Sequence, residues 1–216
     1  MQTWKPVEEL RNETGIVFGT WGEPLLEVAL DLASGGGERP VGVIAAANPA
    51  GLKPYQDKIA GVIRVTSSEE LAAAVSALKQ DNGGIEAVVF YGLSEYAQQV
   101  LAGIADGGTV SQPEWAKLAD QVSKDLRSLM AVMPIVYVTC DILEDDDGKL
   151  RFNVNRGLMK FIVGDLYHKR YVVTRSGPEG EETVIQDNNA LAIQFKPPRR
   201  GAPPQAPIGA IRRRRS

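Results

Sequence analysis

The sequence predicts an α/β fold, with a mostly parallel sheet flanked by helices. Three observations predict it. The short apolar runs Val41–Ala46, Ala87–Tyr91 and Ile135–Thr139 lack polar alternation, as strands do when both faces are covered. Between such runs lie segments with apolar residues spaced at three and four, the pattern of helices that pack on a sheet. Glycine-rich breaks, among them Gly35–Gly37 and Gly83–Gly84, separate these segments. Strands alternating with helices favour parallel strands joined by helical crossovers.

Taken in order, Gly15–Gly19 is a short strand closed by glycine. Leu25, Leu26, Val28, Ala29, Leu30 and Leu32 mark the helix that follows and ends at Gly35. Val41–Ala46 and Val62–Val65 are strands. Ser67 or Ser68 caps a helix that runs to Leu78, with Glu69 and Glu70 where the helix dipole favours acid. Ala87–Tyr91 is a strand, Leu93–Ile104 a helix, and Asp106-Gly107-Gly108 a break. Pro113 opens a long amphipathic helix, whose stripe of Trp115, Leu118, Ala119, Val122, Leu126, Leu129 and Met130 is expected in the core. Ile135–Thr139 is a further buried strand, and Cys140 at its end reads as a small buried hydrophobe. Glu144–Gly148 is an acidic turn without the alternating ligand spacing of a calcium loop. Leu150–Val154 is a strand, and Tyr171–Thr174 with Thr183–Gln186 forms a C-terminal β-hairpin around residues 176–180.

Composition narrows the functional classes. The 216 residues are 44% hydrophobic and 24% charged, an ordinary globular balance with enough chain for an ample core. No apolar run approaches the roughly 20 residues that cross a bilayer. The opening Met1–Pro6 lacks the layout of a signal peptide, so secretion by that route is not expected. A single cysteine, Cys140, forbids an internal disulfide, and with a single histidine, His168, no cysteine–histidine zinc site is available. His168 has no accompanying nucleophile motif and reads as a surface or sheet-edge residue.

Charge is partitioned. Of 24 basic residues, seven (Lys196, Arg199, Arg200, Arg212, Arg213, Arg214 and Arg215) lie in 196–216, which holds no acid. The other 17 face all 27 acids, leaving residues 1–195 at net −10. Five of the 13 prolines also fall in 196–216. The chain therefore divides into an acidic domain, 1–195, and an extended basic arm, 196–216. The arm has three readings: it docks on an acidic protein surface, such as a like subunit, it contacts a phosphate backbone, or it is a disordered tail with no specific partner. It lacks the aromatic residues that stack on single-stranded bases.

The first strand, turn and helix have the layout of a phosphate cradle. Aligning Gly19 with the first glycine of Gly-x-x-x-x-Gly-Lys-Ser/Thr places Gly22 and Glu23 inside the loop. Pro24 then falls on the last glycine, Leu25 on the lysine and Leu26 on the hydroxyl. Proline donates no amide hydrogen bond, neither leucine pairs with phosphate or Mg²⁺, and Glu23 repels an anion. The bland reading, a strand-to-helix turn with ordinary helix residues, fits better than a live nucleotide site.

Order and spacing over residues 14 to about 175 resemble the RecA-like P-loop ATPases found among phage recombination genes. The resemblance rests on Ile16–Gly19, on Val62–Val65 with Ser67–Leu71, and on Ile85–Tyr91 with Leu93–Glu95. It continues through Glu114–Leu118 and Met133–Thr139. It implies a RecA-like parallel sheet with degenerate Walker A and Walker B motifs. Tyr91 stands where the family's second motif carries its aspartate, and Thr139, Cys140 and Asp141 fall at its polar sensor. Phosphoryl transfer depends on positioned charge, so no hydrolysis, cofactor or metal is expected. The expected role is a catalytically inactive structural or assembly component, in a virion or the host cytoplasm. It would act by self-association or contact with other phage structural proteins, with no membrane partner. The alternative is a recombination accessory protein that binds single-stranded DNA, with residual or no nucleotide binding.

Overall fold

The computed structural model describes residues 13–20, 25–105, 109–144, 150–154, 157–158, 169–176, 181–186 and 211–212. In chain order they form β1 (Glu13–Thr20), α1 (Leu25–Ser34), β2 (Val41–Ala45), a 3-10 segment (Pro49–Lys58) and β3 (Gly61–Arg64). Then come α2 (Ser68–Gln80), β4 (Ala87–Tyr91), α3 (Leu93–Ile104), α4 (Gln112–Val132) and β5 (Ile135–Glu144). β6 (Leu150–Phe152), β7 (Lys169–Ser176), β8 (Glu181–Gln186) and β9 (Ile211–Arg212) follow.

The fold is α/β. One sheet runs β3-β2-β4-β5-β1-β7-β8-β9, with β6 paired to β5. The five strands β3, β2, β4, β5 and β1 are all parallel, and β7 joins β1 parallel. β8 and β9 each pair antiparallel to the strand before them in the sheet, so the expected C-terminal hairpin is present as β7–β8.

Two cores follow from strand alternation, in which successive side chains face opposite ways. Ile16, Phe18, Ile44, Val88, Phe90, Val136 and Val138 point to the side covered by α2, α3 and α4. Val17, Val43, Val89, Ile135 and Tyr137 point to the side covered by α1 and the 3-10 segment. The strands read as continuous apolar runs because each supplies both cores. Phe90 and Tyr96 meet edge to face, with ring centroids 5.2 Å apart.

Local chemistry sets the helix ends. Ser67 caps α2, accepting from the Glu70 amide at 3.3 Å, which resolves the choice between Ser67 and Ser68. The Glu114 carboxylate accepts from the Ser111 amide at 2.6 Å and holds the start of α4 beside Pro113. Gly35, Gly36 and Gly37 take positive φ after α1, a conformation that glycine adopts without a side-chain clash.

Several boundaries differ from expectation. β3 ends at Arg64, with Val65 buried beyond it, and β6 stops at Phe152. The 3-10 segment was not expected, since its sequence lacks an apolar stripe and only Leu52 is buried. Trp115 is a correction. It is 38% exposed, while Leu118, Ala119, Val122, Leu126 and Leu129 of its stripe are buried. The turn at 145–148 and His168 lie outside the described residues.

Candidate functional site

In a parallel sheet, the C-terminal strand ends share one edge, where α/β proteins bind ligands. β5 lies between β1 and β4, so that edge gathers the ends of the three strands carrying Gly19, Asp141 and Tyr91. Gly19 and Asp141 are register partners.

The positions expected to handle phosphate are filled with apolar groups. Leu25 and Leu26, in the first turn of α1, are 7% and 5% exposed and join the core with Val17, Val28 and Tyr137. Burying each contributes roughly 1.5–3 kcal/mol. Gly19 is buried, and Gly22, Glu23 and Pro24 lie outside the described residues. Tyr91 packs at the rim of the α1-side core with Tyr55. Its hydroxyl sits 2.9 Å from where a Cβ on Gly51 would stand. Burial first, then Glu95 and Asp141, push its phenol above the usual range, so it stays neutral.

The sensor residues are mostly committed to the scaffold. The Thr139 hydroxyl is buried and accepts from the Gly92 amide at 2.9 Å. Gly92 has φ 94°, and the carbonyl of Tyr91 before it accepts from the Ala46 and Ala47 amides at 2.9 and 3.1 Å. These bonds tie the ends of β2, β4 and β5 together. The Cys140 thiol lies 3.7 Å from the Ser94 hydroxyl, and burial pushes its pKa up to about 12, which leaves it a poor nucleophile. Ser94 also accepts from the Asp141 amide at 3.4 Å.

Asp141 is the member of this trio that reaches the edge, and it is half-buried. Burial, and then the Glu95 carboxylate, raise its pKa. Glu95 stands in the first turn of α3, with Oε2 2.9 Å from where a Cβ on Gly92 would be. Among the described residues, what shifts Tyr91 and Asp141 is burial, then carboxylates and, for Tyr91, the Tyr55 phenol. Among the described residues, no group of three or more His, Cys, Asp or Glu side chains is placed to hold a metal.

The raised Asp141 pKa has a sign that can be tested. The folded state holds this proton more tightly than the unfolded chain, so stability falls as pH rises from the ordinary value of 3.8 through the higher folded value. Asp141→Asn is expected to stabilise the protein at pH 7 by about 0.5 kcal/mol, a small figure because solvent screens a half-exposed group. The gain should vanish below pH 3.8. Urea unfolding at both pH values measures it, and an equal gain at each would refute the coupling.

A second feature is a cleft of about 500 Å³ between the start of α2, α3 and the first half of α4. Ser67, Ser68 and Gln121 line it, together with Lys117 and Lys124 opposed by Glu69 and Asp120. The two signs balance, so the cleft has no net charge to select an anion. Gln99 borders it and donates through Nε2 to the Ala46 carbonyl at 3.1 Å. Beside the cleft, buried Asp125 accepts from Ser68 and Tyr96 hydroxyls, each at 2.7 Å, and from Gln121 Nε2 at 2.9 Å. That network joins α2, α3 and α4.

Of the basic arm, Arg212 lies in β9, while Arg199, Arg200, Arg213, Arg214 and Arg215 fall outside the described residues. No helix among the described residues is long and apolar enough to cross a membrane. Sequence reading gave no role to Gly92, Ser94, Glu95 or Asp125, although Ser94 and Glu95 fall within the segments that carry the resemblance. A glycine between a strand and a helix was the signal available for Gly92; the others look like ordinary helix residues. No protein-family model matches the chain, and no curated protein is significantly similar to it.

Proposed function

We propose that this chain is a RecA-like P-loop domain that no longer handles nucleotide and serves as a structural or assembly component, in a phage particle or during its construction. One observation carries the loss of chemistry. Where phosphoryl transfer needs a lysine, a hydroxyl and a carboxylate, the chain has two core leucines, Leu25 and Leu26, and a half-buried neutral phenol, Tyr91. The order of β4, β5 and β1 supports the RecA-like reading, because it sets the end of β1, after which Leu25 and Leu26 follow in sequence, beside the strands that carry Thr139–Asp141 and Tyr91. Each lost charged hydrogen bond forgoes roughly 1.5–3 kcal/mol of phosphate affinity. The assembly role draws on charge, since a body of net −10 and an arm with seven cations and no acids complement each other between copies.

With Mg²⁺ and ATP, the purified protein is expected to release no phosphate above a protein-free control, and to co-sediment with intact phage particles. Turnover abolished by substituting Glu23 or Tyr91 would overturn the proposal. The recombination alternative draws on the same cations. It expects salt-sensitive binding of a labelled single-stranded oligonucleotide that is lost when 196–216 is deleted.

A further inference from the structure

The turn between α2 and β4 brings reactive groups together. Asp81, Asn82, Gly83 and Gly84 are all exposed there. Asp81 ends α2, its amide donating to the Ala77 carbonyl at 2.9 Å. The Ile85 amide donates to the Asn82 carbonyl at 2.9 Å and closes the turn. Gly83 and Gly84 have φ 58° and 79°, both positive as a type I′ turn requires.

An asparagine side chain reacts with the main-chain nitrogen of the next residue when nothing shields that nitrogen. Among the described asparagines, Asn82 alone is followed by glycine. Asn48 precedes Pro49, which has no amide hydrogen, and Asn153 precedes the β-branched Val154. A Cβ added to Gly83 or Gly84 would meet nothing within 4 Å, so the turn is open to water. Two hydrogen bonds fall on the atoms that would react. The Gly83 amide donates to Asp81 Oδ1 at 2.8 Å, which places a proton acceptor on the nucleophile. The Gly84 amide donates to Asn82 Oδ1 at 3.1 Å, which places a donor on the oxygen that gains charge under attack.

We infer that Asn82 is a site of self-catalysed deamidation, with Asp81 as the base and the Gly84 amide as the oxyanion donor. The Gly83 nitrogen forms a bond to Cγ of Asn82 while its proton passes to Asp81. The Cγ–Nδ2 bond then breaks, and Nδ2 leaves as ammonia with the proton that Asp81 held. A succinimide ring remains. Water adds to one of its two carbonyl carbons and breaks that carbon's bond to the Gly83 nitrogen. Addition at Cγ gives aspartate. Addition at the main-chain carbonyl gives isoaspartate, whose main chain runs through the former side chain and is one atom longer. Either product places a new carboxylate on the turn. The longer chain also disturbs Ile85, whose Cδ1 lies 2.9 Å from where a Cβ on Gly42 of β2 would stand.

Incubating the full chain for days at neutral pH in heavy-oxygen water tests this, with mass spectrometry of proteolytic fragments as the readout. Asn82 is expected to become a mixture of aspartate and isoaspartate, each carrying one solvent oxygen, while Asn48 and Asn153 keep their amides. Asp81→Asn retains an oxygen to accept from the Gly83 amide but cannot take its proton. It should slow conversion at Asn82 at least about tenfold. Circular dichroism verifies that this variant is folded. Wild-type chain held unfolded in urea provides a second comparison that needs no substitution. It should convert more slowly than the folded chain, because the base and the donor are no longer placed. An Asn82 that keeps its amide would overturn the site. Conversion as fast in Asp81→Asn or in the unfolded chain as in the folded wild type would overturn the self-catalysis.

Discussion

Gly92→Ala is expected to lower stability by about 3–5 kcal/mol, the sum of backbone strain and overpacking. Gly92 sits at φ 94°, where a side chain is strained regardless of space. Space is also lacking. An added Cβ would stand 2.6 Å from the Ala47 Cβ and 2.7 Å from the Ala47 backbone nitrogen. The backbone nitrogen cannot rotate away, so β2 or β4 must shift. That shift strains the bonds from the Ala46 and Ala47 amides to the Tyr91 carbonyl and from the Gly92 amide to Thr139. Chemical denaturation should report the loss as a lower midpoint. A change under about 1 kcal/mol, close to the scale of ordinary surface substitutions, would show that the strand ends are looser than their hydrogen bonds imply.

Asp125→Ala is expected to cost about 3–4 kcal/mol, because it removes a buried acceptor and strands its donors. Asp125 is 8% exposed, and Tyr96, one of its donors, is fully buried. The carboxylate satisfies three side chains from three helices: Ser68, Tyr96 and Gln121. For a chain of this size each kcal/mol lowers the melting temperature by about 2–4 °C, so a fall near 10 °C is expected. Tyr96→Phe should cost less, about 1 kcal/mol. It should also soften the Asp125→Ala penalty in the double variant, since no hydroxyl is then left unpaired. Strict additivity of the two effects would argue against the shared network.

Part of the candidate site was legible in the sequence. Leucine side chains at 25 and 26 offer phosphate no charge, which is legible in the sequence, and the structure adds that both are buried, at 7% and 5% exposure. The polar contacts of the helices were less legible. Asp125 and Glu95 are acids on amphipathic helices, and such residues usually face water. Burial of Asp125 depends on Ser68, 57 positions away in sequence, and Asp141 is influenced by Glu95 across a strand–helix junction.

The amino-acid sequence alone determined the class of fold, most strand and helix positions, the absence of an internal disulfide, and the division of charge between body and arm. Each depends on local pattern or on counting, which survives whatever the chain does in space. Only the tertiary structure decided the strand order, which sets β5 between β1 and β4, and the exposure of Trp115 despite its place in the apolar stripe of α4. It also decided which described strand stands at each side of the sheet, because parallel neighbours join through long crossovers whose sequence does not encode which strand they will meet. Periodicity fixes which way a side chain faces along its own element, while burial depends on how far a neighbouring element extends to cover it.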